Sequence, residues 1–327
     1  MMKRIFNLVI IAIVLSSCMK EEIAIEPNTS FEEGVQVALV DMGNRYPNQV
    51  YFNLVDNEVV ASIERQNWTI AFKNGSNSRL AVLNDAQAMS GWASGFENLE
   101  SATDSAGFGQ GKKIEVSAEI YEEPALEDLS GVYLIDLGFS EIGLPLGAYW
   151  IEFPEVSASG YQIRYKKYGQ EEVVERFIEK NEDTEFVLYS LEEDFITHEP
   201  TSSDWDFKFT RYISVLDAGD SELPYSVTGV ILNPYNTWAA EFSEKEFEKI
   251  ELADTTNIQF SNQPDIIGFD WKTFTFTDGT TGIFTVDSDR SYVIRNALGA
   301  YYKLRFLGFY GEGGYSGEPS FEYQLLR

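Results

Sequence analysis

Cys18 is the only cysteine in the chain, and its setting assigns it a covalent chemistry. Lys3 and Arg4 make a basic start, Ile5 to Leu15 form an apolar run, and Leu15-Ser16-Ser17-Cys18 follows. The run falls short of the roughly 20 residues that a helix needs to span a bilayer, so it reads as a cleaved leader. Small residues before a cysteine let a signal peptidase reach the bond. Residues 1–17 are therefore expected to be a lipoprotein signal peptide, with Cys18 as the lipidation site that carries a diacylglyceryl thioether. Each buried acyl methylene is worth about 0.8 kcal/mol, which makes a doubly or triply acylated cysteine a stable membrane anchor. Met19-Lys20-Glu21-Glu22 fits either a surface-export signal or a solvated tether.

Other chemistries lack their parts. With one histidine, His198, and one cysteine, neither a His- or Cys-rich zinc site nor a Cys-His nucleophile pair can be assembled, and no intrachain disulfide is possible. A serine triad would have to use His198. The chain carries no nucleophile elbow, P-loop or dinucleotide fingerprint. A pair of carboxylates working as a glycan hydrolase stays open, because 53 acidic residues offer too many candidates to choose among. No loop has calcium-hand spacing, and Asp287 with Asp289 reads as a turn. No metal site is expected. A formal charge of -29 repels nucleic acid and anionic headgroups alike, so neither is an expected partner.

The elements that must position any site are strands. Hydrophobic residues make up 44% of the chain, with 23 Phe, 18 Tyr and 6 Trp, which is enough for real cores and excludes global disorder. The dominant period is two: Ile114, Val116, Ala118 and Ile120 alternate with polar residues. Trp68, Ile70 and Phe72 share a face, as do Trp205, Phe207 and Phe209, then Phe274 and Phe276, then Tyr302, Leu304 and Phe306, then Phe321, Tyr323 and Leu325. The expected fold class is all-β, mostly antiparallel with one face wet, and with a few short helices. The best helical candidate is Trp238 to Ile250, and Asn84-Asp85 is placed to cap a short turn before Ala86 to Met89.

Two motifs recur in order. VYFNLVDNEVVAS precedes WTIAF at Trp68, and FVLYSLEEDFIT precedes WDFKF at Trp205. Then Tyr133-Leu134-Ile135 with Leu146-Gly147-Ala148-Tyr149-Trp150 is echoed by Tyr292-Val293-Ile294 with Leu298-Gly299-Ala300-Tyr301-Tyr302. The expected organisation is a tether at 18–43, an N-terminal β-unit at 44–170, a charged join, and a related C-terminal β-unit at 184–327. The alternation sets Arg211 on the face of Phe207 and Phe209, at the edge of an apolar surface. There it either contacts a ligand or is paired internally, as a charge in such a place requires.

From Trp205-Asp206-Phe207 to Tyr212, through SYVIRNALGAYYKLRFLGFY to the GYSGEPSFEYQLL ending, the chain resembles the HmuY-like haem-binding lipoproteins. The match is clearest over 184–327, with a fainter echo at 50–168. The resemblance implies an all-β fold, an outer-membrane or cell-surface location, and delivery of haem to a TonB-dependent receptor. It also implies two axial His or Met ligands to iron, one of them from the loop where this chain has Asp278. A carboxylate is a poor haem ligand, and no methionine follows Met89. His198, in a Pro/Ser/Thr-rich turn, is the only imidazole on offer, and Met42 and Met89 read as packing residues.

The resemblance and the missing catalytic parts together imply a lipid-anchored surface protein that binds a nutrient, haem or a porphyrin first among them, and turns nothing over. Asp278, His198 and Arg211 are the candidate ligand contacts. A structural or adhesive surface protein and a carboxylate hydrolase are the other readings.

Overall fold

The computed structural model describes residues 34–327 apart from 117–122, 141, 218, 220–221, 244 and 278–281. Cys18, the signal segment and Asp278 thus lie outside the described residues, as do Ala118 and Ile120.

The protein is mostly β, built from antiparallel sheets. One six-stranded sheet runs Val174–Glu179, Gly160–Lys167, Ala148–Val156, Val132–Asp136, Ser90–Ala93, Lys113–Ile114. It shares a core with a four-stranded sheet ordered Phe195–His198, Phe186–Ser190, Ile70–Lys73, Ala81–Leu83. These two sheets form a first sandwich. A second sandwich pairs a five-stranded sheet, Gln36–Leu39, Ser316–Leu325, Tyr301–Tyr310, Tyr292–Arg295, Trp238–Glu241, with a four-stranded one, Glu222–Leu232, Phe207–Asp217, Asn48–Asn53, Glu58–Glu64.

The two four-stranded sheets then meet face to face, and strand alternation explains how. Ile70 and Phe72 point into the first core while Ala71 points into the junction; Val50 and Phe52 point into the second core while Tyr51 points into the junction. Trp68 and Trp205 complete the junction, Trp205 edge-on to Tyr51 at 5.0 Å. The inner strands of both central sheets, Ile70–Lys73 with Phe186–Ser190 and Asn48–Asn53, are therefore buried on both faces, while their edge strands Phe195–His198 and Glu58–Glu64 stay largely exposed.

The repeated motifs are repeated structure. Thr69 N donates to Tyr189 O at 2.8 Å and Asp206 N to Phe52 O at 2.9 Å. Leu191 N donates to Thr69 Oγ1 at 2.9 Å and Leu54 N to Asp206 Oδ2 at 2.7 Å. The side chain of Asn84 donates to Trp68 O, and that of Asn233 to Trp205 O, both at 2.8 Å. One offset, the one taking Trp68 to Trp205, relates the first two pairs.

The sheets nevertheless cross the boundary that the sequence halves imply. Asn48–Asn53 pairs with Phe207–Asp217, while Ile70–Lys73 pairs with Phe186–Ser190. Each Trp strand thus takes its neighbour from the other half, and the segments 44–170 and 184–327 are not separate sheet systems. The first sandwich is the continuous stretch 65–198, and the chain leaves and re-enters the second sandwich around it.

Three local expectations need correction. Trp238–Ile250 is not a helix: Trp238–Glu241 is a strand held on Tyr292–Arg295, and only Phe247–Lys249 forms a helical turn, of 3-10 type. Glu115, expected on a wet face, is buried and accepts from Leu83 N at 2.8 Å, so its carboxyl is pushed up to about 8 by burial. The second echo is one residue out of register. Ile135 faces Tyr149 and Ile294 faces Tyr302, so Tyr149 matches Tyr302 rather than Tyr301. A one-residue slip sends a side chain to the opposite face, which is why Trp150 and Tyr301 lie outside those two cores. The cap at Asn84 does form, its side chain accepting from Ala86 N ahead of the 3-10 turn Asp85–Gln87.

The crossing gives a direct test. A protease site inserted at Gly169, which has a positive φ and open space around it, should cut the chain between its sequence halves without separating them. The two pieces should co-elute on size exclusion and melt in one transition. Pieces that separate in native buffer would contradict the pairing.

Candidate functional site

The second sandwich carries a two-stranded hairpin, Lys272–Phe276 with Gly282–Val286. Its sequence alternates Phe with Thr, so one face is aromatic. Near the sandwich that face is supported: the Phe284 ring lies 5.0 Å from Phe309, Phe284 N donates to Tyr310 Oη at 2.8 Å, and Trp271 stacks on Phe306 at 4.0 Å. Further out it is bare, with Phe274 46% and Phe276 66% exposed. Phe274 lies across the opposite strand at Gly282, where a Cβ would come within 2.4 Å of its ring. Glycine there is what lets the ring lie flat.

Beside it stands a longer arm, Phe207–Asp217 with Glu222–Leu232. Only Phe207 to Phe209 pair with the neighbouring strand; Thr210, Tyr212 and Ile213 stay buried, the strand lies against the turn Asp85–Gln87, and only the far end runs into solvent. Tyr212, Val227 and Ile231 pack together with Phe269, and beyond them Leu216, Leu223 and Tyr225 continue the same face into solvent. Arm and hairpin meet at their bases. A Cβ on Gly229 would come within 2.3 Å of Gly268 O, and Lys272 Nζ donates to Thr228 O.

Lys272 is 7% exposed. Its ammonium sits 4.3 Å from the Trp271 ring centre, 4.9 Å from Phe309 and 5.4 Å from Phe284. Burial pulls its pKa down to about 7, against a smaller upward pull from Asp270.

Two other concavities have a different character. A cavity of about 60 Å³ between the central sheets is walled by Trp68, Phe186 and Trp205 and holds Asp85, Glu199 and Lys208. Tyr51 donates to Glu199 at 2.9 Å, and Lys208 pairs with Glu199 at 3.6 Å. Burial raises Asp85 to about 6, with Lys208 opposing. This is an internal charge network, far below the several hundred Å³ of a cofactor pocket. A groove of about 460 Å³ next to it is lined by Asp56, Glu58, Glu199 and Asp204, and its charge repels any acid.

The residues singled out from the sequence are not brought together. Asp278 falls between the two strands of the aromatic hairpin, outside the described residues. His198 ends the exposed edge strand Phe195–His198 of the first sandwich, away from the hairpin's sheet system. Arg211 lies on the arm, half-buried, and donates to Ser226 Oγ at 2.8 Å across the strand pair. Met42 and Met89 are fully buried in opposite cores. Among the described residues no three His, Cys, Asp or Glu side chains come together as a metal site. Lys272 is the residue that sequence reading passed over. Its signal is weak, a lysine following Asp270-Trp271 at the head of a Phe/Thr alternation.

The family model for HmuY protein matches residues 45–323. The chain belongs to the HmuY family. Among solved structures, the apo HmuY analogue of Tannerella forsythia is 10% identical, covering 90% of this chain and 100% of its own at a TM-score of 0.33. Apo PinO from Porphyromonas gingivitis is 10% identical, covering 91% of this chain and 99% of its own at a TM-score of 0.29. No curated protein matches the chain. Within this HmuY-family chain, no described helix is long and apolar enough to cross a membrane.

If the outer hairpin rings serve a ligand rather than the fold, removing them should cost little stability. Phe276→Ser is expected to shift stability by no more than about 0.5 kcal/mol. Trp271→Ala, which opens the platform beneath, should cost about 3 to 5 kcal/mol. Denaturant melts of the two variants check the contrast.

Proposed function

We propose that this HmuY-family protein is a binding protein without turnover, which holds a flat apolar ligand, haem or a related porphyrin, against the aromatic hairpin. The carrying observation is the bare pair Phe274 and Phe276 on a rigid aromatic platform, beside an arm whose apolar face is also bare. Large exposed rings on a strand cost solubility and mark contact surfaces. Flat aromatic ligands gain about 0.5–1.5 kcal/mol per stacked ring beyond area burial.

The donor set fits a macrocycle better than its iron. Among the described residues, the lone imidazole lies in the other sandwich and both thioethers are buried, so no His or Met pair reaches the hairpin. Asp278 would offer only a carboxylate there. The proposed grip is therefore stacking, with iron left without the axial pair that the family resemblance implies.

Cys18 supplies the proposed tether, through a lipid thioether at the outer membrane and the cell surface. The proposed partner is a TonB-dependent receptor that takes the ligand from the hairpin. The acidic surface suits a soluble exposed domain and disfavours nucleic acid.

Titration with haemin tests the reading. The expected result is a broad Soret change without the sharp low-spin pattern of bis-His or bis-Met iron. The double variant Phe274→Ser, Phe276→Ser should weaken binding about tenfold, as the loss of two stacked rings implies. A sharp low-spin spectrum that His198→Ala abolishes would overturn this account of the site.

A further inference from the structure

Lys272, Phe274 and Phe276 lie on one face of one strand, running from the buried base of the hairpin to its open end. The span from Lys272 to Phe276 is ~13 Å of strand, about the width of a large flat ring system. At the inner end the Lys272 amine has no acidic partner among the described residues. Its hydrogen-bond partners are carbonyl oxygens, Thr228 O and, at 3.5 Å, Phe269 O, and no described carboxylate lies within ion-pair distance. The charge that acts on it is that of Asp270 on its own segment; Thr228, Phe284 and Phe309, which meet it from the other elements, carry none. Aromatic faces favour a cation but do not cancel it.

Lys272 has no described carboxylate partner although acidic residues outnumber basic ones 53 to 24. Two half-buried arginines are held by carboxylates, Arg164 by Glu100, Glu152 and Glu175 and Arg305 by Glu248 and Glu322. Lys180, like Lys272, is held by carbonyls, those of Ser78 and Ser157, beside a ring, and Lys272 differs in lying on the face of the bare hairpin rings. A buried cation without an anion is costly unless something supplies the anion.

We propose that Lys272 is the anion-recognising group of the hairpin site, and that it selects flat apolar ligands bearing a carboxylate on one edge. The inference rests on the binding reading above and narrows it to acids. The ligand's ring system lies on Phe274 and Phe276 while its carboxylate meets Nζ, giving a charge-assisted hydrogen bond in a place that excludes water. Neutral or esterified analogues keep the stacking and lose the pair. The arrangement also moves a proton. Burial holds the Lys272 amine well below the ordinary lysine range, and a carboxylate partner raises it, so binding at neutral pH takes up protons. Uptake grows as pH rises above neutral and fades in acid, where the amine is already charged.

Metal-free protoporphyrin IX and its dimethyl ester, titrated into the full chain by fluorescence and by calorimetry in buffers of different ionisation enthalpy, test this. Wild type should bind the diacid at least about tenfold more tightly than the diester, with the proton uptake described. Lys272→Met should bring the diacid down to the diester's affinity and abolish the uptake. The ester comparison uses unaltered protein, so it stands even if the variant folds poorly. Equal wild-type affinities with no proton uptake overturn the role of Lys272 and leave the stacking reading in place. Failure of both porphyrins to bind overturns the binding reading itself.

Discussion

The structure depends on two buried amides finding their acceptors across the sequence halves. Leu54 N has the Asp206 carboxylate, and Leu191 N has the Thr69 hydroxyl. A buried N–H left unpaired costs about 1–3 kcal/mol, and each of these sits where a hairpin from one half hands over to a Trp strand from the other. Asp206 bears the heavier load. Burial pushes its carboxyl up to about 6, while the Leu54 amide holds it down. Because these bonds join distant segments, neither sandwich can be completed from one half of the chain.

That constraint explains the platform under the candidate site. Phe52, Phe207, Phe209, Phe306 and Phe321 interlock with ring centres 5.1 to 6.3 Å apart, drawing on strands from both ends of the chain. Trp271 and Phe309 extend this cluster to the hairpin. The hairpin is thus carried on a core that is fixed by crossing strands, while its outer rings Phe274 and Phe276 stay exposed.

Strand identity was legible in the sequence wherever one side of a strand met a core, because period two then shows directly. Phe207 and Phe209, Tyr302 to Phe306 and the closing Phe321 with Tyr323 are of this kind, whereas Leu325, expected on the same face, is exposed. The duplication was legible too, since Val50 with Trp68 and Val187 with Trp205 keep their spacing. Partner choice was not. Local spacing cannot say whether Ile70 to Lys73 pairs with the hairpin before it or with one far along the chain. The one-residue slip at Tyr149 has a related cause, since two adjacent aromatics give two equally good alignments. Lys272 stayed hidden because its burial comes from Phe309 and Thr228, on segments that no spacing places against it.

The central claim is that the two sandwiches form one cooperative body through these crossings. Hydrogen exchange measured by mass spectrometry on wild type and Asp206→Ala tests it most directly. Wild-type amides at Leu54, Asn84, Leu191 and Asn233 should exchange together through a single global opening, and Asp206→Ala should lower protection at all four. Loss of protection at Leu54 and Asn233, with Asn84 and Leu191 unchanged in the first sandwich, would contradict it.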